Sequence, residues 1–518
     1  MDNSFTPVFG KDVIESLTIG MYEDSRFIFR EYIQNSADQI DKAIREGLLS
    51  KGEGEIHINL DVKKRQIIFE DNATGIESIR VRPVLQNIAQ STKQRGVDKG
   101  FRGIGRLGGL AYCKKLVFET SFKGENIKSI LTWDAALLKD IINNRQVKED
   151  AISVIQRVTS LSTIEEEVDK HYFKVILEEV SNDTLLNKRE IEKYLSIVAP
   201  LPFPARFIYK SKIDEDLKKN NFLLDEYKIY LNSEQLAKGY STYIYKGDEI
   251  NRKKEDEIID IEFFNAFADD GQLLYWGWHS ISEKNQSLNQ INYSRGFRLR
   301  KANIQVGDES TLLKLHRDRR FQFYFFGEVH AVHSDLIPNS RRDYFTENKV
   351  YFEFENKLKS FFHTTIHKLC YSASEINSSL KKIEELRNFE EEYKRKQTNG
   401  FTDKKEHQEF NENFERKKEE AIKAQRRIEK FEKDTSDSSL IAVNKILNRV
   451  VKSSPLTSVN LINVPEDNNY IAKFRTDNLS KLPKDHRKLV GRIYSIIRDV
   501  LDNNTAENLI QRIEEELK

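Results

Sequence analysis

The chain has 518 residues, with 84 Lys and Arg against 83 Asp and Glu, and the resulting formal net charge of +1 excludes a global field that would recruit nucleic acid. That length exceeds what one core serves and predicts several domains; 38% apolar beside 32% charged residues predicts real cores under extensive solvated surface. The two cysteines, Cys113 and Cys370, exclude a disulfide framework or a cysteine-pair zinc motif and read as buried structural thiols.

No apolar run reaches the length of about eighteen residues that a membrane span needs, and MDNSFTPVFGKD lacks a basic segment followed by an apolar one. The reading is a cytoplasmic chain with no membrane contact. From Asp24 to about Gly47 the pattern is a helix, with Asp24 or Ser25 as N-cap and Gly47 as the stop. Short β-type runs follow at EIHINL and RQIIFED, then a loop-rich stretch through Gly109, then the strands KKLVFETSF and NIKSILTW. Helical KREIEKYLSIV leads into VAPLPFP, whose prolines mark a break near 198–204.

Residues 205–350 alternate β-like runs (YKIYLN, QLLYWGWHSI, RGFRLRKANIQVGD, RFQFYFFGEVHAV) with short helices, a second α+β domain. Tyr351 to Lys396 has no Gly or Pro and reads as long helix. A second helix from about Thr402 to Lys433 carries Phe414, Ala421 and Ile428 at seven-residue spacing, so 351–434 is a helical hairpin or short coiled coil. TSDSS is a linker, and 440–518 closes with two amphipathic helices, HRKLVGRIYSIIRDVL and ENLIQRIEEELK, suited to dimerisation or partner docking.

Three short stretches carry chemistry. In REYIQNSADQIDKAI, Phe29, Ile33, Ile40 and Ile44 share one side of the helix, and Glu31, Asn35 and Asp38 fall within about 60° of one another on the other. A solvated face would explain three polar residues; a carboxylate with an amide one turn later can also hold a hydrated Mg2+ and position a water. In FEDNATGI, Asp71 ends a strand and leads into a turn with Gly75, which alone is ordinary turn chemistry. STKQRGVDKGFRGIGRLGGL then places five of the chain's 22 glycines in eleven residues, Gly100, Gly103 and Gly105 fitting G-x-x-G-x-G. Such a loop is either a flexible surface segment or a phosphate cradle, with Lys93, Arg102 and Arg106 supplying positive charge. Gly108 and Gly109 read as packing positions for the segment that follows.

Taken in order, E-x-x-x-N-x-x-D on a helix, Asp-x-x-x-Gly after a strand and the lysine with the glycine-rich loop resemble the GHKL ATPase superfamily. That superfamily includes the ninety-kilodalton heat-shock chaperones, MutL and MORC proteins, type II topoisomerase ATPase subunits and sensor histidine kinases. The resemblance covers about residues 10–200 and implies an α+β fold: a Bergerat-type ATPase sandwich over 1–200, a transducer-like α+β domain over 205–350, then long helices and a small helical C-terminal domain. It implies ATP and Mg2+, with Glu31 as general base, Asn35 as the metal ligand, Asp38 in support and Asp71 as acceptor for the adenine amino group. It assigns to the nucleotide Gly75, Thr92, Lys93, Gly100, Phe101, Arg102, Gly103, Ile104 and Gly105. The family usually has Gly where this chain has Ala73; if that position needs positive φ, alanine costs about 1 kcal/mol.

SDLIPNSRRDYF resembles the middle-domain loop of the heat-shock chaperones, whose arginine reaches the γ-phosphate. Arg342 is the better match and Arg341 the next, with Lys301 of RGFRLRK an alternative of the MutL kind. His363 and His367, four apart, lack a third ligand and read as ordinary helix positions. The implied function is a homodimeric ATPase clamp acting on a protein client. Alternatives are a nucleic-acid clamp like MutL or MORC, with RGFRLRK, HRDRR and KAQRRIEK on phosphates and a possible place in bacterial antiviral defence, or a non-hydrolysing nucleotide sensor or scaffold.

Overall fold

The computed structural model describes residues 9–18, 24–88, 90, 103–401, 404–433, 443, 445, 472–475, 479 and 481–517. The chain divides into two units, Met1–Ser282 with Ser287–His367, and Glu283–Gln286 with Lys368–Lys518. Among the described residues no helix is long and apolar enough to cross a membrane.

The first unit holds two sheets. Helix α1 (Asp12–Thr18) precedes α2 (Phe27–Arg45). The N-cap of α2 is Arg26, one or two residues past the expected Ser25 or Asp24, and its side chain makes no cap hydrogen bond. Asp24 acts from outside the helix: its carboxylate accepts from the Arg26 N–H at 2.9 Å and pairs with the Arg26 guanidinium at 2.8 Å. Gly47 ends the helix at φ +73°, donating to the Ile44 carbonyl.

Strands β1 (Glu55–Asp61), β2 (Gln66–Asp71), β3 (Lys115–Ser121), β4 (Ile127–Asp134), β5 (Thr159–Glu165), β6 (Tyr172–Glu178), β7 (Lys228–Leu231) and β8 (Glu234–Gln235) form one sheet in the order β5-β4-β3-β6-β2-β1-β7-β8. Helices α3 (Val81–Gln86), α4 (Ala135–Asn143), α5 (Ala151–Val158) and α6 (Lys188–Val198) join α2 around it. The face between α2 and the sheet is apolar: Phe69 meets Phe29 and Tyr32 with ring centres 5.1 and 4.8 Å apart. YKIYLN, read from the sequence as part of the second layer, contributes β7 to this first sheet, where it runs parallel to β1. A parallel partner reached through a long crossover leaves no local signal in either strand.

After α7 (Lys210–Lys219), strands β9 (Tyr243–Lys246), β10 (Lys253–Phe267), β11 (Leu273–Ser282), β12 (Gly296–Lys301), β13 (Ile304–Gln305) and β14 (Phe326–Ala331) form the second sheet, ordered β13-β12-β14-β11-β10-β9. Helix α8 (Lys349–Phe361) follows and passes into a single π-helical turn, Phe362–Ile366. RGFRLRK is β12, and its arginines turn inward: Arg298 and Arg300 are buried. Arg300 Nε lies 2.6 Å from Glu328 Oε1, and Lys238 Nζ lies 2.8 Å from Glu328 Oε2. Tyr240 donates to the same carboxylate at 3.0 Å. Burial alone would raise the Glu328 carboxyl; Arg300, Lys238 and His330 outweigh it and hold it well below the usual carboxylate range.

The second layer is tied to the end of α6 by one side-chain and one backbone hydrogen bond. Arg300 Nη2 donates to the Ile197 carbonyl at the end of α6 at 2.6 Å, and Gly239 N–H to the Ser196 carbonyl at 3.0 Å. Both cysteines are buried, and neither is in a disulfide. In the second unit, α9 (His367–Asn399) and α10 (Lys404–Lys433) pair as an antiparallel hairpin. Phe389 stacks on Phe410 and Tyr393 on Phe414, while Lys382 meets Glu420 further along. Helices α11 (Lys484–Val500) and α12 (Asn503–Glu516) pack on each other. Buried Glu406 of α10 is 2.8 Å from Lys396 and 3.2 Å from Arg498. TSDSS lies outside the described residues.

Glu328 balances two cations, Arg300 and Lys238, with no water access, and removing one partner of a buried pair costs about 3 kcal/mol or more. Glu328→Gln therefore lowers the unfolding free energy of the first unit by that order and its urea midpoint with it, measured by tryptophan fluorescence; a midpoint unchanged from wild type contradicts this role.

Candidate functional site

The site grows from one face of α2. Glu31 and Asp38 are 5% and 4% exposed, and Asn35 is half-buried, so the polar face is not the solvated side of an amphipathic helix. Asp71 is the last residue of β2, whose inward row is Ile67, Phe69 and Asp71. Period-two alternation thus sends a carboxylate, 1% exposed, into the layer that Phe69 shares with α2.

The turn after Asp71 holds it in place. Ala73 N–H donates to Asp71 Oδ1 at 3.2 Å, and His171 Nδ1 is 2.8 Å from the Ala73 carbonyl. Ala73 is buried and is not among the residues with positive φ, so alanine carries no backbone strain there. Gly75 does need its freedom: φ is +65° and a Cβ would lie 1.9 Å from the Ser121 carbonyl.

Of the glycine-rich stretch, Gly103, Ile104 and Gly105 are described; Thr92, Lys93, Gly100, Phe101 and Arg102 lie outside the described residues. Gly103 has φ +69°. Gly105 opens a 3-10 helix, Gly105–Ala111, and backs directly onto the Glu31 carboxylate, where a Cβ would stand 2.2 Å from Oε2. Any side chain at 105 must displace that carboxylate. Gly108 and Gly109 face Phe27, Tyr32, Leu116 and Leu177 and are packing positions. Tyr32 fastens this segment to α2, donating to the Arg106 carbonyl at 3.1 Å and accepting from the Gly109 N–H at 3.0 Å. Arg106 donates to the Asn87 carbonyl, and burial lowers its guanidinium to about 10, which leaves it charged at neutral pH.

The second layer reaches this face. Residues 337–346 form a narrow loop, with Pro338 bridged to Phe345 and Thr346 N–H donating to the Ile337 carbonyl. Arg342 sits in it at φ +56°, its N–H on the Asn339 carbonyl and its own carbonyl accepting from Gly307 N–H at 2.7 Å. Its guanidinium Nε lies 2.9 Å from Glu31 Oε1. Arg30 Nε is farther, at 3.8 Å. Arg341 is exposed. Lys301 is engaged elsewhere, Nζ donating to the Val332 and His333 carbonyls at 3.1 and 2.7 Å, which pins the chain where the arginine loop departs. His367 is edge-on to Phe321, a packing contact.

Arg30, Gln34, Tyr32 and Gly307 escaped the sequence reading. Gln34 offered a signal: it lies three residues after Glu31, hence on the same side of α2. Gln34 is buried with both amide atoms lacking hydrogen-bond partners among the described residues, and Arg30 Nε likewise lacks one. Buried polar atoms of this kind are rare, and here both donors and acceptors gather on the Glu31 side of α2. That donor set suits an anionic, hydrogen-bonding ligand and a hydrated cation beside Asn35.

Residues 24–166 match a family model described as histidine kinase-, DNA gyrase B-, and HSP90-like ATPase. Among curated proteins no match to this chain is found. The matched segment contains Glu31, Asn35, Asp38, Asp71 and the whole glycine-rich stretch, and it ends before the sheet that delivers Arg342. Residues 24–166 are therefore an ATP-binding domain of the GHKL ATPase superfamily.

Proposed function

We propose that the chain hydrolyses ATP with Glu31 as general base and Arg342 as the cation supplied by the second layer, and that it works as a dimeric clamp on a protein client. The observation that carries this reading is the 2.9 Å ion pair between Glu31 on α2 and Arg342 on the loop 337–346. A buried carboxylate at the end of a ligand face can take a proton from an attacking water. An arginine beside it stabilises negative charge that develops next to that water, worth about 100-fold or more in rate.

Asp71 is the acceptor for the adenine amino group, since it is the one inward carboxylate of β2 and its turn is fixed by Ala73 and Gly75. Asn35 would hold Mg2+, whose contribution when bound is to neutralise charge across the phosphates. Asp38 supports Asn35 from one turn further along. Gly103 to Gly105 bring backbone close to the phosphates, and Gly105 sets where the Glu31 carboxylate stands. Arg342 couples the two layers, because it reaches the base only while the loop 337–346 is seated against the Gly307 N–H.

A protein client is favoured over nucleic acid by the fate of RGFRLRK. Arg298 and Arg300 are buried, Arg300 is spent on Glu328 and Ile197, and Lys301 on two carbonyls. RGFRLRK thus presents little charge to a phosphate backbone, which leaves Arg317, Arg319 and Arg320 of HRDRR as an exposed basic group of the second layer.

Glu31→Ala is expected to slow ATP turnover by about 100-fold or more while binding of a fluorescent ATP analogue persists. Unchanged turnover overturns the catalytic assignment. Arg342→Ala slows turnover by about 100-fold, and Arg341→Ala by less than about threefold; equal losses in the two variants would remove Arg342 from the site. DNA and RNA binding, measured against salt with and without a non-hydrolysable ATP analogue, is expected to be absent, whereas tight salt-dependent binding in either state overturns the protein-client reading.

A further inference from the structure

Helix α11 has two unlike sides. Tyr494 is fully buried and marks the inward side, with Arg487, Val490, Ile497, Arg498 and Leu501 half-buried around it. The opposite side carries Leu489, Ile493, Ile496 and Val500, which are 57, 40, 60 and 74% exposed. Their spacing of four, three and four keeps all four within about 60° of one another around the helix axis. Four aliphatic side chains in one exposed stripe at this spacing form a coiled-coil seam that is unpaired among the described residues.

The flanks of the stripe say what fits it. One flank carries exposed Arg492 and Asp499, seven residues apart; the other carries Val490 and Ile497, also seven apart and apolar. When a second α11 is laid antiparallel so that Leu489 meets Val500 and Ile493 meets Ile496, each flank meets itself. Arg492 then faces the second copy's Asp499, and Asp499 faces its Arg492. On the other side Val490 faces Ile497. A parallel pairing instead sets Arg492 against Ile497 and pairs no charges, and two neighbouring antiparallel registers break the core layers. Both the oil and the charge are self-complementary in one orientation, which is the signature of an isologous contact.

We infer that the Leu489–Val500 stripe of α11 is a docking surface for the same helix of a second copy of this chain, antiparallel, locked by reciprocal Arg492–Asp499 ion pairs. This rests on the dimeric part of the reading above and supplies the surface for it. The seam lies outside the ATP-binding segment and needs no nucleotide to form.

The test is sedimentation equilibrium of the full chain without nucleotide. Wild type dimerises. Ile496→Asp weakens the dimer by about 100-fold, because it buries a charge in the seam. Arg492→Glu and Asp499→Lys, each alone, weaken it by about tenfold, since each turns two attractions into two repulsions. The double variant Arg492→Glu/Asp499→Lys returns to within about threefold of wild type. These positions are exposed, so unchanged helix content by circular dichroism accompanies every variant. A double variant no tighter than the singles overturns the antiparallel pairing. A dimer indifferent to all four variants overturns the seam but leaves a dimeric clamp joined elsewhere, and a chain monomeric in every nucleotide state overturns both.

Discussion

A carboxylate held out of water beside a cation from another layer is the constraint from which the rest of this chain follows. Glu31 is almost fully buried, and an isolated buried carboxylate would be intolerable without positive charge nearby. Its nearest cation, Arg342, belongs to the second sheet's loop, so the first layer's polar face is complete only when the second layer is seated. Much of the surrounding structure serves that seating. Lys301 ties down the segment before the loop, Gly307 receives the arginine's own carbonyl, and Arg300 fastens the second sheet to the end of α6.

The second sheet is accordingly built around charge as well as around its aromatic core. Glu328 sits between Arg300 and Lys238 with no exposure, and Arg300 reaches on to Ile197. Such a cluster contributes little net stability compared with apolar packing, but it admits one arrangement, because every displaced member leaves a buried charge unmatched. The strand that positions the connection to α6 and the strand that leads into the arginine loop, β12 and β14, are the two joined by this cluster. The Glu31–Arg342 pair therefore depends on how the two sheets are seated on each other.

The sequence made the first layer readable because its signals are local. A polar trio at helical spacing, a carboxylate closing a strand and a glycine-rich run each announce themselves within a few residues, and their order identifies the family segment now matched over 24–166. What stayed hidden is long-range. β7 joins the first sheet from 160 or more residues beyond β1, and nothing in KIYL marks it as that strand's parallel neighbour. RGFRLRK reads equally as a phosphate-binding patch or as the lining of an internal cavity, and what turns Arg300 inward, Glu328 brought beside it by pairing of β12 with β14, has no local signal. Gln34 could have been found from its spacing to Glu31; Gly105 is legible as a member of the glycine motif, but its contact with the Glu31 side chain, 74 positions away, is not. The sequence ranks Arg342 ahead of Arg341 and Lys301 by its place in SDLIPNSRRDYF, but its positive φ and its 2.9 Å approach to Glu31 are visible only in the fold.

The central claim is that Glu31 and Arg342 act as one unit across the two layers. A double-mutant cycle in single-turnover ATP hydrolysis tests it most directly, with Glu31→Gln and Arg342→Ala made alone and together. If the pair is one unit, the double variant is no slower than the slower single variant to within about threefold, because the second loss has nothing left to remove. If instead the two losses multiply, the residues contribute independently, and the account of a base completed by the second layer's arginine is wrong.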